Sequence, residues 1–462
     1  MKVLLFQPKI GIPEKWFKMP LNLMVLASVL EDAGHSVQII DGHLRDLRPE
    51  DLKGVGVVGI GTMTGHQIKH ALEAAQLVRD TDPTIQIVWG GWHVTALPAQ
   101  TLLHTLVDYV VTGPGEYALL ELIEELEKGI RPQRILNGLV AKYNPAYHLI
   151  NVEDYIGPDL GTRTLSYCSS IGCPGRCYFC VISGPWHGID AEKLVGDVRH
   201  LVQCYGINAI RFDDGNFFAS KSRVEKFCDG LKYLGIKIQW SAFGRADQLA
   251  KVDESFFQMI AESGCTEIAV GAESSVPRVL ELINKGATVD DFFQAMERCE
   301  KYGITMLASW VVGFPGEAND EIRTTMDTIR LLRHRRPEQM LYFYNPWPGT
   351  AMWEKSVQNG LKVPMHLEEW TDWRLEECNL PWLGEAIKRE ISTLAKELRT
   401  ERFYLRAARV SKQMKGLVGK LLNHFASWRV DHLFFPFEMW LFLLLQGRGK
   451  FLSRIVAKRE KR

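Results

Sequence analysis

Three cysteines, Cys173, Cys177 and Cys180, lie in Cys173-Pro174-Gly175-Arg176-Cys177-Tyr178-Phe179-Cys180, a CxxxCxxC spacing that directly follows a run reading as a strand. Three thiolates on one short loop can hold three irons of a cubane. The missing fourth ligand matters, because it leaves one iron open, whereas a structural site is normally closed by four. Zinc motifs usually come as two separated CxxC pairs, and no second pair exists in this sequence. Cys168 is a conceivable fourth ligand, but it falls within the preceding candidate strand. Cys204, Cys228, Cys265, Cys299 and Cys378 are isolated and read as core residues.

The elements that must position this loop follow from length and pattern. At 462 residues the chain exceeds one ordinary hydrophobic core, so two or three domains are expected. Lys+Arg and Asp+Glu balance at 55 each, which leaves no global field for nucleic acid. Met1-Lys2 runs directly into Val3-Leu4-Leu5-Phe6, and the longest nearly apolar run, Leu433–Leu445, is too short to span a bilayer, so the chain reads as cytoplasmic. Strand-like runs at Val3–Gln7, Ser36–Asp41, Val55–Gly61, Gln86–Trp89 and Asp108–Thr112 alternate with helical patterns. Such alternation predicts an α/β unit with a doubly wound, Rossmann-like parallel sheet over 1–145. A turn-rich link over 129–161 precedes a second series, with strands at Thr164–Cys168, Ala209–Asp213, Ile238–Phe243, Glu267–Ala272, Met306–Val312 and Met340–Tyr344. Six β-α units predict an open, partial barrel over 146–360. A helical C-terminal region, 361–462, follows, in which Ile387, Ile391, Leu394 and Leu398 recur on one face.

At the cysteine loop the chain resembles the radical S-adenosylmethionine (SAM) superfamily, whose defining motif is CxxxCxxC after the first barrel strand. The resemblance covers about 165–355. It implies a [4Fe–4S] cluster held by Cys173, Cys177 and Cys180, an open iron that chelates SAM, and reductive cleavage of SAM to a hydrogen-abstracting radical. It also implies an external electron donor. Phe179 matches the aromatic position that contacts the adenine. Asp213 and Asp214 end the second strand, where the family places polar groups near the methionyl amine. Arg245, beyond the third strand, could pair with the SAM carboxylate or with Asp247 alone. Gly271-Ala272-Glu273-Ser274-Ser275 resembles a segment whose Glu and Ser reach toward SAM, and Gly313-Phe314-Pro315-Gly316-Glu317 resembles the adenine-shaping loop. Pro346-Trp347-Pro348-Gly349-Thr350 resembles a further recurrent segment.

A doubly wound domain ahead of such a barrel resembles the cobalamin-binding class of the superfamily. Thr62-Met63-Thr64 and, further on, Gly90-Gly91 have the spacing of that class's Ser-rich loop and Gly-Gly pair, and Gly113-Pro114-Gly115-Glu116 resembles its closing turn. The first-strand loop, Phe6-Gln7-Pro8-Lys9-Ile10-Gly11, lacks the histidine of cobalt-ligating domains. Asp41-Gly42-His43 imitates the motif after the wrong strand, so His43 reads as a surface or turn residue, and His93, in the Gly-Gly loop, reads either as a neighbour of the cofactor or as a satisfied loop histidine. The alternative for this domain is a layer that only supports the barrel.

The resemblance implies a cobalamin-dependent radical SAM methyltransferase acting on a small molecule. One SAM would open a C–H bond, and a second would supply the methyl group through the cobalamin. A cyclase or oxygen-insertion enzyme acting on a tetrapyrrole or lipid is the alternative, in the group of the anaerobic magnesium-protoporphyrin monomethyl ester cyclase and a hopanoid-associated member. A non-catalytic corrinoid carrier would not need the three-cysteine loop. The tail offers two readings. Leu433–Leu445 with the basic segment 448–462 either touches the inner face of an anionic membrane or closes the barrel by packing.

Overall fold

The computed structural model describes residues 1–10, 18–138, 144–333, 337–373 and 380–413, with 420, 424–426 and 428–429 beyond them. Cys378 and the tail segments 433–445 and 448–462 lie outside the described residues.

The first sheet contains β1 (Lys2–Gln7), β2 (Ser36–Asp41), β3 (Val57–Gly61), β4 (Gln86–Gly90), β5 (Tyr109–Thr112) and β6 (Ile135–Asn137). Its order is β2-β1-β3-β4-β5-β6, and every pairing is parallel. Helices on both faces explain the unbroken apolar run of β1. Val3 and Leu5 join the core containing Leu23 and Leu122, from the helices Leu21–Asp32 and Glu116–Glu127. Leu4 and Phe6 join the opposite core, with Ile68 and Ala71 of the helix His66–Thr81. Chain order reverses between β1 and β3, and ligands of open α/β sheets sit beyond the strand ends at such a reversal. Strand β6 was not expected. It occupies part of the 129–161 link as a half-exposed edge, too short for a clear apolar pattern.

The second sheet is built from β7 (Thr164–Tyr167) and, after a hairpin of β8 (Ser170–Cys173) and β9 (Gly184–Gly188), from β10 (Ala209–Phe212), β11 (Gln239–Gly244), β12 (Cys265–Glu273), β13 (Thr305–Val312) and β14 (Glu338–Phe343). Its order is β14-β13-β12-β11-β10-β7, all parallel, with β7 and β14 as free edges. Alternate residues of these strands, such as Thr164 and Ser166 of β7, Leu307 and Ser309 of β13, and Met340 and Tyr342 of β14, face one cavity. The intervening Leu165, Met306, Ala308 and Leu341 are buried under the outer helices. This sheet is therefore the expected open barrel, with a lumen rather than two solvated faces. Local signals fix the outer helices. Thr288 caps Val289–Lys301, accepting from Asp291 N at 3.0 Å while Asp291 Oδ2 takes Thr288 N at 2.8 Å.

The C-terminal region divides between the two sheets. Leu361, Leu367, Trp370 and Trp373 pack into the first sheet's core, and Trp370 Nε1 donates to Gln100 Oε1 at 2.7 Å. The helix Glu385–Gln413 packs on the barrel, and its Ile387, Ile391, Leu394 and Leu398 are 0–2% exposed, as their spacing predicts. Among the described residues no helix is long and apolar enough to cross a membrane.

Candidate active site

The cysteine loop is the connection of the β8–β9 hairpin, in which Ser170 pairs with Gly188, Ile171 with His187 and Cys173 with Gly184. Gly172 has φ +80°, and a Cβ there would come within 2.0 Å of Pro185 O, so only glycine fits. Asp214 braces the hairpin from below. It accepts from Ser169 N, from Ser169 Oγ at 2.5 Å and from Ser170 N at 3.1 Å. Burial pushes its carboxyl up, against the pull of those hydrogen bonds. From above, Tyr178 N donates to Ile283 O at 2.9 Å and Met352 N to Tyr178 O at 2.9 Å.

Cys173, Cys177 and Cys180 open together onto a cavity of about 900 Å³ that all six barrel strands line. Cys168 does not join them. Its thiol donates to Ser170 O at 3.2 Å, and it faces a different crevice. Arg245 Nη1 approaches Cys177 Sγ at 3.5 Å, while Nε holds Asp247 at 2.9 Å and Nη2 donates to Lys285 O at 2.5 Å. The ion pair with Asp247 and the position at the site are therefore both present. A Cβ on Gly175 would meet Arg245 Nη1 at 2.4 Å, so bare backbone is needed where the guanidinium crosses the loop.

Of the residues expected here, Phe179, Asp213, Arg245 and Glu273 line the cavity, whereas Asp214, Ser274 and Gly313 do not. Ser274 points outward, with its hydroxyl 3.0 Å from Thr325 Oγ1, because successive residues at a strand end face opposite sides. Glu273 has φ 60°, a strained value for a residue with a Cβ. Its Oε1 takes Lys285 Nζ at 2.6 Å, and both side chains are buried. Asp213 pairs with Lys18 Nζ at 3.0 Å, across the boundary between the two sheets. Lys18 and Lys285 went unnoticed in the sequence, since no motif contains them.

The Gly313 loop reaches the site through its neighbour. Phe314 is fully buried and its ring centroid lies 5.3 Å from that of Phe179. Glu317 Oε2 ties the turn by accepting from Gly313 N at 2.6 Å and Phe314 N at 3.0 Å. Burial pushes its carboxyl up to about 7, outweighing those two bonds. A raised folded-state value means this group's stabilisation is complete below about 4.5 and is lost as pH rises through about 7. Glu317→Gln keeps an acceptor oxygen for both amides. It is therefore expected to raise the thermal midpoint relative to the parent at pH 8 and to gain nothing at pH 4.5. A gain of equal size at both pH values, read by scanning calorimetry, would refute this.

At the carboxyl edge of the first sheet the expected loops converge. Thr62 N and Oγ1 donate to Gly90 O at 2.8 and 3.2 Å, and His93 N donates to Thr62 O at 3.2 Å. Gly91 has φ +96°, and a Cβ there would strike Thr62 O at 2.5 Å and N at 2.7 Å. Thr64 Oγ1 lies 3.0 Å from His93 Nδ1. Gly113 N donates to Thr95 Oγ1 at 2.9 Å. Glu116 is buried, its Oε2 has no partner among the described residues, and burial pushes its carboxyl up. Around these groups Met63, Trp92 and Tyr117 are exposed by 39%, 43% and 50%, leaving apolar area for a flat ligand to cover. His43 lies in the turn after β2, as expected, with its side chain 7% exposed. Its Nδ1 meets Asp41 Oδ1 at 2.7 Å and its Nε2 accepts from Ile10 N at 2.9 Å, so neither nitrogen faces a ligand. His93 is 0% exposed against Trp370, at a ring distance of 5.4 Å, and desolvation lowers it to about 4.

Two family models match the chain, the radical SAM superfamily over residues 167–329 and the B12 binding domain over 18–123. An uncharacterized methyltransferase of Pyrococcus horikoshii is 30% identical over 383 residues, which cover 76% of this chain and 81% of that protein. The chain belongs to the cobalamin-binding radical SAM enzymes. An anaerobic magnesium-protoporphyrin IX monomethyl ester cyclase of Rubrivivax gelatinosus is 22% identical over 73% of the chain and 66% of its own length. Among solved structures, the cobalamin-dependent SAM radical enzyme OxsB, with aqua-cobalamin and SAM bound, aligns at TM-score 0.73 and 16% identity, covering 99% of this chain and 74% of its own. The methyltransferase TsrM of Kitasatospora setae aligns at 0.64 and 19%, covering 79% and 76%. These two structures support the fold.

The cofactors of this radical SAM enzyme are a [4Fe–4S] cluster, SAM and cobalamin. The residues present fit them. Three thiols open on one cavity, and among the described residues no fourth cysteine lines it. The orphaned Glu116 Oε2 and the exposed Met63, Trp92 and Tyr117 suit the corrin.

Proposed function

We propose that this enzyme transfers a methyl group to an unactivated carbon of a small molecule held in the barrel lumen. The observation that carries the reading is a reach from the first unit into the thiol cavity. Lys18, from the connection between β1 and the helix Leu21–Asp32, lines the cavity with the three cysteines and pairs there with Asp213 at 3.0 Å. When bound, the cluster and SAM supply hydrogen abstraction and the corrin supplies a methyl group.

The chain's own residues do the positioning. Cys173, Cys177 and Cys180 would hold the cluster, with the Arg245 guanidinium beside Cys177 balancing its charge. Phe179, fixed by Phe314, would take the adenine, while Asp213 and Glu273 would face the methionyl amine and Arg245 its carboxylate. Lys285 holds Glu273 in orientation through their ion pair at 2.6 Å. Thr62, Thr64, Gly90, Gly91, Gly113 and Glu116 would hold the corrin. Six strands line the lumen, and holding the reactants in line there is the protein's main contribution.

The favoured substrates are a lipid or a tetrapyrrole, in keeping with relatives named hopanoid C-3 methylase and bacteriochlorophyllide d methyltransferases. The likeness to the cyclases supports a second reading, ring closure or oxygen insertion. Anaerobically reconstituted enzyme with cobalamin, a low-potential reductant and SAM bearing a deuterated methyl group tests both. Methyl transfer requires the label in the product. An oxidised or cyclised product without label would install the second reading, and label in cobalamin but in no candidate substrate would overturn the substrate assignment.

A further inference from the structure

Below the buried stripe of the helix Glu385–Gln413, the same spacing of three and four residues continues as Arg402, Arg406 and Arg409. These side chains enter the end of the barrel opposite the cysteines, where Glu267 and Glu338 are each 1% exposed. Arg406 holds Asp159 at 2.6 Å and reaches Glu267 at 3.7 Å. Arg409 pairs with Glu338 and, at 3.3 Å, with Glu267. Arg211, from β10, pairs with Asp159 and, at 3.5 Å, with Glu267. Arg402 Nε donates to Glu338 Oε2 at 3.1 Å. Among the described residues, four guanidiniums thus share three carboxylates at the lumen floor, an excess of guanidiniums over carboxylates.

That excess is directed by geometry. Arg406 and Arg409 do not line the cavity, and Arg211 is taken up by two carboxylates. Arg402 lines the cavity. Its Nη1 meets only Met340 Sδ, at 3.1 Å, a weak acceptor, and its Nη2 has no acceptor among the described residues. A guanidinium edge lining the cavity wall is suited to a bidentate anion. The six residues of β14 put the floor about 17 Å from the mouth, at about 3.3 Å per residue.

We propose that Arg402 anchors the substrate by a carboxylate or phosphate group at the lumen floor, so that the reacting carbon is presented toward the cysteines at the far end. This rests on the reading of the lumen as the substrate site. It makes the substrate class anion-bearing and excludes a plain hydrocarbon.

The test uses reconstituted holoenzyme with SAM present and no reductant, so that SAM stays intact at the mouth and no turnover is required. Inorganic phosphate, butyrate and butyramide are titrated by calorimetry. Phosphate or butyrate should bind at about one per chain and butyramide should not, and whichever anion binds names the group. Arg402→Gln should weaken the anion by at least about tenfold. Arg402→Lys should restore most of the affinity, and Arg409→Gln, outside the cavity, should leave it within about twofold. A folded Arg402→Gln enzyme, checked by circular dichroism and SAM cleavage, that binds the anion as tightly as the parent would overturn the proposal. So would equal binding of butyrate and butyramide, or a loss shared equally by Arg409→Gln. Because binding is read without turnover, anion capture by an enzyme that transfers no methyl group would fail only the reaction assigned above.

Discussion

Replacing Cys173, Cys177 and Cys180 together with alanine is expected to abolish both the broad visible iron–sulfur absorption and all 5′-deoxyadenosine formation. The three thiols are the only ones lining the cavity among the described residues, and Cys168 is committed to Ser170 O. The fold should survive, because the hairpin is held by Asp214, Ser169 and Arg223 rather than by the cysteines. Iron and sulfide analysis with anaerobic product assay is the measurement. A folded triple variant that keeps about the parent's iron and sulfide content would refute the assignment.

Gly91→Ala is expected to abolish cobalamin retention, whereas Gly90→Ala is expected to keep it. At Gly91 the added Cβ meets Thr62 backbone atoms at 2.5 and 2.7 Å with φ at +96°, so the Thr62 loop must move. At Gly90 the nearest atom to a new Cβ is Val111 O at 3.6 Å, an ordinary contact. Corrin quantitation after anaerobic reconstitution should give about one per chain for the parent and at least about tenfold less for Gly91→Ala. In the parent's Co(II) state the paramagnetic spectrum should lack axial nitrogen coupling, because His43 has both nitrogens engaged and His93 is enclosed against Trp370. Nitrogen coupling that disappears in His93→Ala would show the enclosure to be broken by the cofactor.

Strands buried on both faces were legible because a parallel sheet demands continuous apolar runs, as in Val3-Leu4-Leu5-Phe6. The hairpin around the cysteines was not. Gly184-Pro185-Trp186-His187-Gly188 has turn composition, and only its pairing with β8 makes it a strand. The motifs located the site to a pair of residues but not to the member that faces it. Asp213 lines the cavity while Asp214 braces the loop, and Glu273 faces in while Ser274 faces out. That parity depends on where each strand ends, which composition does not encode. Lys18, Lys285 and Arg402 come from distant segments and are united only by the fold. For Arg402 a signal existed, since it continues the spacing of Ile387, Ile391, Leu394 and Leu398.

The barrel's floor is also the last part of it to leave the ribosome. Asp159 waits for Arg406, 247 positions later, and Gln100 waits for Trp370, 270 positions later. Until the helix Glu385–Gln413 emerges, Glu267 and Glu338 lack most of their cations, and a barrel with two free edges has nothing beneath it. The nascent protein therefore presents its cysteines long before it can enclose what they bind. Completion of the lumen waits for the helix Glu385–Gln413 rather than for the last of the barrel's own strands.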